Sequence, residues 1–152
     1  MKTLIHREVA AARDGRNPSV IGRMRSGWAV LGHWQFISGY SLLLPEPVVP
    51  SLNDFSVADR SQFLLDMVAL GDALLTVTDA VRINYEILGN GTPALHAHVF
   101  PGRLNEPEKF RQKPVWLYPG SDFRSVAFDP SRDRALMERI RRYLSDHHQL
   151  VG

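Results

Sequence analysis

Apolar and polar residues alternate in short bursts through the middle of the chain, and recur every three or four positions near its ends and in one long central stretch. Residues 4–13 read as a short amphipathic helix closed by the turn Asp14-Gly15-Arg16-Asn17-Pro18. Trp28-Ala29-Val30-Leu31 and Tyr40-Ser41-Leu42-Leu43-Leu44, punctuated by glycines at 27, 32 and 39, predict two strands with a turn between them. Pro45, Pro47 and Pro50 then predict an extended connection outside any central ladder, because proline has no N–H to donate.

The strongest helix signal begins at Ser56, which with Asp59 three residues later resembles a capping box. Phe63, Met67, Leu70, Leu74 and Val77 lay an apolar stripe along one face. Gly71 interrupts it at a cost of about 1 kcal/mol relative to alanine, which predicts close packing against something flat. Arg82-Ile83-Asn84-Tyr85-Glu86-Ile87 alternates as a half-buried strand does. The turn 88–93 leads into a second strand over 95–100, close enough to pair antiparallel. A loop rich in proline and charge runs from 101 to 120. A last helix starts at Asp129-Pro130, with Leu136, Ile140, Tyr143 and Leu144 on one face. Strands joined by hairpin-like connections, with helices between and after them, predict an α+β fold in one domain spanning 1–152.

Composition narrows the class of protein. At 152 residues, 44% hydrophobic and 22% charged, the chain has the balance of an ordinary globular domain. It has no cysteine, which excludes disulfides and thiolate chemistry. The longest apolar runs fall far short of a membrane span, and Met1–Glu8 lacks the continuous apolar stretch of a signal peptide, so a cytoplasmic location is expected. A formal charge of +2 gives no reason to expect nucleic-acid binding, and the cluster Arg13, Arg16, Arg23 and Arg25 reads as a solvated basic rim.

The chemistry concentrates in Pro93-Ala94-Leu95-His96-Ala97-His98-Val99-Phe100-Pro101. On a strand His96 and His98 point to one side, while Leu95, Ala97 and Val99 point into a core. A neutral imidazole is a nucleophile near neutral pH. If a backbone carbonyl holds one of its nitrogens, the other offers a lone pair, and a second imidazole on the same face can carry a proton or steady a leaving oxygen. Asn90-Gly91 and the turn around it offer backbone donors to phosphate oxygens. Three other readings of the pair stay open here: two histidines on a strand without a chemical role, a binding site without turnover, and a metal site. The last needs a third and usually a fourth ligand, and His33 is the only further histidine outside the terminal helices.

This segment resembles the signature of the histidine-triad family of nucleotide hydrolases and transferases, which carries three alternating histidines, two apolar residues and commonly a proline and a basic residue. His98 falls on the last histidine, His96 on the middle one, and Ala94 where the first stands. The resemblance extends through Asn90-Gly91, the strand from 82, the helix from Ser56 and the glycine-led Gly39-Tyr40-Ser41-Leu42-Leu43-Leu44-Pro45, covering roughly residues 27–103, about half the chain.

It implies an antiparallel sheet of about five strands with a long helix on one face, a C-terminal helix, and pairing into a homodimer. It also implies attack by His96 on the α-phosphorus of a nucleotide, a nucleotidyl-histidine intermediate hydrolysed by water, and His98 bonded to the phosphate or assisting the leaving group. No metal or cofactor is implied. Three positions depart from the pattern: Ala94, Tyr40 in place of a further histidine, and Gly32 in place of an acid or amide for the ribose, with His33 beside it as a substitute. Arg103 is the cation next to the motif and the candidate for a phosphate. Trp116-Leu117-Tyr118-Pro119 reads as packing onto the sheet or as a cover for a base. Trp34 and Phe36 read as core or as lining of a base pocket, and His147 and His148 as solvated tail residues.

Overall fold

A computed structural model describes residues 2–152. Helix α1 (Leu4–Arg13) starts where Thr3 and His6 cap each other's backbone N–H groups. It leads into β1 (Val20–Arg23), β2 (Gly27–Leu31) and β3 (Ser41–Pro45), then the long helix α2 (Val57–Val77), whose first turn is capped by the Ser56 hydroxyl accepting from Asp59 N–H. Strands β4 (Arg82–Glu86) and β5 (Ala97–Gly102) follow, then two one-turn helices, α3 (Glu108–Arg111) and α4 (Gly120–Phe123). The chain ends in α5 (Pro130–Asp146), with Asp129 capping its N-terminus and Pro130 in the first turn. The five strands form one fully antiparallel sheet in the order β1-β2-β3-β5-β4, so the fold is the α+β arrangement expected.

The strand alternation sorts the core. Ala29, Leu31, Leu43, Ala97 and Val99 face α2 and α5, where they meet Phe63, Met67, Leu70, Leu74, Ile140 and Leu144. Gly71 fits as its position suggested: a β-carbon there would lie 2.1 Å from the Tyr85 hydroxyl, so its absence lets the Tyr85 side chain lie against the helix. The opposite face carries Val30, Leu42, Leu44, His98 and Phe100, covered by α1 at one end and by aromatic residues at the other. Among the described residues no helix is long and apolar enough to cross a membrane.

Four local features differ from the sequence expectations. Strand β1 escapes the sequence pattern because its four residues include Gly22 and Arg23; the Leu150 side chain folds back onto Gly22, where a β-carbon would sit 2.8 Å from it. Pro45 does join the sheet, paired with Gly27, and its missing N–H costs nothing on the other side because the β3–β5 ladder ends at Leu43 and Ala97. The histidine strand runs from 97 to 102, two residues later than predicted, so His96 stands just ahead of β5. The connection from 101 to 120 is more structured than a loop: besides the start of α4 it holds α3 and a 3₁₀ turn at Val115–Leu117.

Candidate active site

Register places the site. Leu42, His98 and Glu86 lie side by side across β3, β5 and β4 and therefore share a face. His96 and His98 both point to that face, their rings edge to face with centroids 4.8 Å apart. Neither is open to bulk solvent: they are 8% and 6% exposed, so the paired imidazoles form the floor of a cavity rather than an open strand face.

Each imidazole has one nitrogen spoken for. His96 Nδ1 lies 2.7 Å from the Ala94 carbonyl. A carbonyl only accepts, so Nδ1 carries a proton, and in the neutral ring Nε2 is the nitrogen that keeps its lone pair. His98 Nδ1 lies 2.6 Å from the Tyr40 hydroxyl. Tyr40 is buried and its O–H has no other partner, so it donates to Nδ1 and leaves His98 Nε2–H as a donor. Burial, with a smaller contribution from His96, pushes the His98 pKa down to about 3, so this ring is neutral at physiological pH. Burial, reinforced by the Glu86 charge, raises the Tyr40 hydroxyl pKa well above its ordinary value. The result is one imidazole with a free lone pair beside another with a free N–H.

The departures at Ala94, Tyr40 and Gly32 have physical reasons. Ala94, 1% exposed, is packed with Ile5, Val9, Val30 and Leu44 beneath α1, an apolar setting. Its backbone carbonyl, not its side chain, orients His96. Tyr40 and Gly32 depend on each other: a β-carbon at Gly32 would lie 2.3 Å from the Tyr40 ring, which fills the space a side chain there would need. Gln35 fixes this corner, its amide donating to the Gly32 and Tyr40 carbonyls and its oxygen accepting from Gly39 N–H at 3.0 Å. Gly39, at φ +92°, holds a conformation that favours glycine.

Both histidines open into a cavity of about 800 Å³. Among the predicted site residues, His33, Tyr40 and Gly91 line it, and Thr92 lies beside Gly91. Asn90 is exposed and does not line it. Arg103 is placed elsewhere: its guanidinium pairs with Asp79 and donates to the Ser38 carbonyl, on the side of β5 away from the cavity. His33 lies 3.5 Å from Glu8, and with Trp34 also lines an adjoining recess of about 450 Å³. His147 and His148 are exposed beyond α5, as expected.

The far wall comes from the segment before α5. The Trp116 ring meets His98 edge to face at 4.8 Å and lies 5.4 Å from Phe123, so it both packs over the sheet and lines the cavity. Phe36 packs against Phe110 and Tyr118 instead. Glu86 reaches under this wall, beside the Trp116 indole and the Val115 N–H; burial raises its pKa more than these two contacts lower it, and Oε2 has no hydrogen-bond partner. Arg124 lines the cavity and was not anticipated from the sequence, because it lies outside every periodic segment. Among the described residues no group of three or more His, Cys, Asp or Glu side chains is placed to hold a metal ion.

An open five-stranded antiparallel sheet with α2 across one face and paired imidazoles on the other is the histidine-triad fold, and the comparisons with solved structures show this. The chain is similar to a histidine-triad protein from Sinorhizobium meliloti, with a TM-score of 0.72 and 22% identity over 88% of this chain and 94% of that one. It is similar to one from Marinobacter aquaeolei, with a TM-score of 0.73 and 18% identity over 96% and 98%. A hypothetical histidine triad nucleotide-binding protein from Sulfolobus tokodaii matches with a TM-score of 0.71 and 12% identity over 92% of each chain. No family model matches the sequence, and no curated protein matches it.

Proposed function

We propose that this chain is a nucleotide phosphohydrolase or nucleotidyl transferase working through a nucleotidyl-histidine intermediate, with 1–152 acting as one histidine-triad-like domain. The observation that carries the reading is the His96 Nδ1 bond to the Ala94 carbonyl, which leaves Nε2 as the nitrogen facing a large cavity without acidic lining. Nε2 attacks the α-phosphorus and the leaving group departs with the electron pair of the broken bond. Water then displaces the histidine. His98 Nε2–H steadies a phosphate oxygen as charge builds there. Gly91 and Thr92 border the phosphate end, while His33 and Trp34 flank the nucleoside end. The Sulfolobus tokodaii neighbour's description as nucleotide-binding supports a nucleotide in this cavity.

Dinucleoside polyphosphates and nucleoside phosphoramidates, offered with a chelator present, test the reading. Metal-independent cleavage lost in His96→Ala supports it, and cleavage that survives that substitution contradicts it. A second reading, a nucleotide-binding module with little turnover, is favoured by the alanine at position 94 and the neutrality of His98. It predicts saturable binding by calorimetry with no product.

A homodimer belongs to the same proposal. Strand β4 is an open sheet edge, and next to it Tyr85 and the α2 residues Leu65, Val68 and Leu75 expose apolar surface. Sedimentation should report twice the 17.2 kDa chain mass; a monomer at micromolar concentration contradicts this part. A cytoplasmic location is likewise proposed, on the lack of cysteine.

A further inference from the structure

Arg124 is the one Lys or Arg among the residues lining the histidine cavity, and no Asp or Glu lines it. Arg13, Arg16, Arg103 and Arg132 each pair with a carboxylate, whereas Arg124 makes no ion pair and no side-chain hydrogen bond among the described residues. Its guanidinium lies across Gly120, where a β-carbon would sit 2.5 Å from the terminal nitrogen, so the glycine leaves it room at the rim. An unpaired cation on the rim of the cavity that the two imidazoles floor, with Trp116 and Phe123 also lining it, favours an anion.

The balance of the transfer step says which part of the substrate that anion belongs to. Attack forms a bond from His96 Nε2 to phosphorus and breaks the bond from phosphorus to the leaving atom. An amine leaving group must gain a proton as its bond to phosphorus breaks, whereas a phosphate oxygen of an anhydride departs as a stable anion without one. His98, beside His96, and Tyr40, bonded to His98 in turn, are poor proton donors: His98 is neutral, and the Tyr40 hydroxyl is held above its ordinary pKa. Negative charge accumulating on the departing oxygen calls instead for a fixed cation.

We propose, resting on the reading of His96 as nucleophile, that Arg124 anchors an anionic leaving group and makes nucleoside phosphoanhydrides better substrates than nucleoside phosphoramidates. Arg124 is thus a specificity-determining residue, contributed by the segment that walls the cavity rather than by the sheet.

The test measures kcat/KM for a dinucleoside polyphosphate and a nucleoside phosphoramidate with the wild-type chain, Arg124→Ala and Arg124→Lys. The wild type should prefer the anhydride. The ratio of the two values should fall about ten- to a hundredfold in Arg124→Ala, the worth of one charged hydrogen bond, and recover in part in Arg124→Lys. A ratio that stays unchanged overturns the proposal, as does a wild-type preference for the phosphoramidate.

A binding arm separates this from failure of the nucleophile reading. A nucleoside triphosphate should bind the wild type about tenfold or more tightly than the matching monophosphate, and Arg124→Ala should erase that advantage. If turnover is absent, or survives His96→Ala, the nucleophile reading fails and the leaving-group role falls with it. Equal binding of the two nucleotides overturns the anion anchor itself.

Discussion

The two walls of the histidine cavity are built by different means. The floor is sheet: His98 sits in a ladder between Leu42 and Glu86, His96 is tied to the Ala94 carbonyl, and Tyr40 is stacked 4.3 Å from Phe100 at a corner pinned by Gln35. The opposite wall, from Val115 to Arg124, is a pair of short turns whose aromatic rings rest on the floor, with Arg124 unpaired at the edge. Backbone ladders fix position closely, while a segment held by ring contacts accepts change. Under the proposed function, this division puts the chemistry on the floor and the choice of substrate on the wall.

Substitutions on the two sides should therefore fail differently. His96→Ala should lower kcat by about a thousandfold or more while leaving the thermal transition near that of the wild type, since it removes the attacking atom. Trp116→Ala, on the wall, should raise KM far more than it lowers kcat, because it takes a ring from the cavity lining and leaves His96 in place. Steady-state kinetics on both variants, with the same substrate, would break the comparison if the two losses had the same form.

Packing beneath the floor should tolerate little. Gly32→Ala forces a β-carbon into the buried Tyr40 ring and should cost about 1–3 kcal/mol of stability in denaturant titrations. Ala94→His, which adds a third histidine two residues before His96, should destabilise by a similar amount without raising turnover, because the position is packed among Ile5, Val9, Val30 and Leu44. Tyr40→Phe should cost about 1–3 kcal/mol, since it leaves His98 Nδ1 buried without a partner.

His98 gives the floor a pH signature. Its folded-state pKa of about 3 lies below its ordinary value of 6.5, so between these limits the unfolded chain binds a proton that the folded chain does not. Above 6.5 the group contributes no pH dependence. Below it, stability falls as pH drops, by at most about 1.4 kcal/mol per pH unit. Unfolding free energies at neutral pH and in the acid window, compared with His98→Gln, check this: the slope should be shallower in the variant. The smallest effect should come from Arg103→Ala, which lies away from the cavity and should change kcat/KM by less than about twofold.

The same division explains what the sequence disclosed. Period-2 alternation around His96 and His98, and the helical stripe from Phe63 to Val77, are local patterns written by the two faces of a sheet and one face of a helix, so both were legible. Strand β1 was not, because its place in the sheet depends on pairing with β2 and on Leu150 returning from the far end of the chain. Arg124 was not, because its place on the rim depends on where α4 sets it, whereas Arg103 stands beside the motif in sequence and away from the cavity in space. The link between Tyr40 and Gly32 is a contact across a turn, visible only once the ring has a position.

The central claim is a covalent bond at His96. Rapid-quench experiments with a substrate labelled at the α-phosphate, followed by peptide mapping, test it most directly. An acid-labile, base-stable phosphoramidate adduct should appear on the peptide containing His96, formed and lost within one turnover and absent in His96→Ala. Turnover without a protein-bound label, or a label carried by another residue, would contradict it.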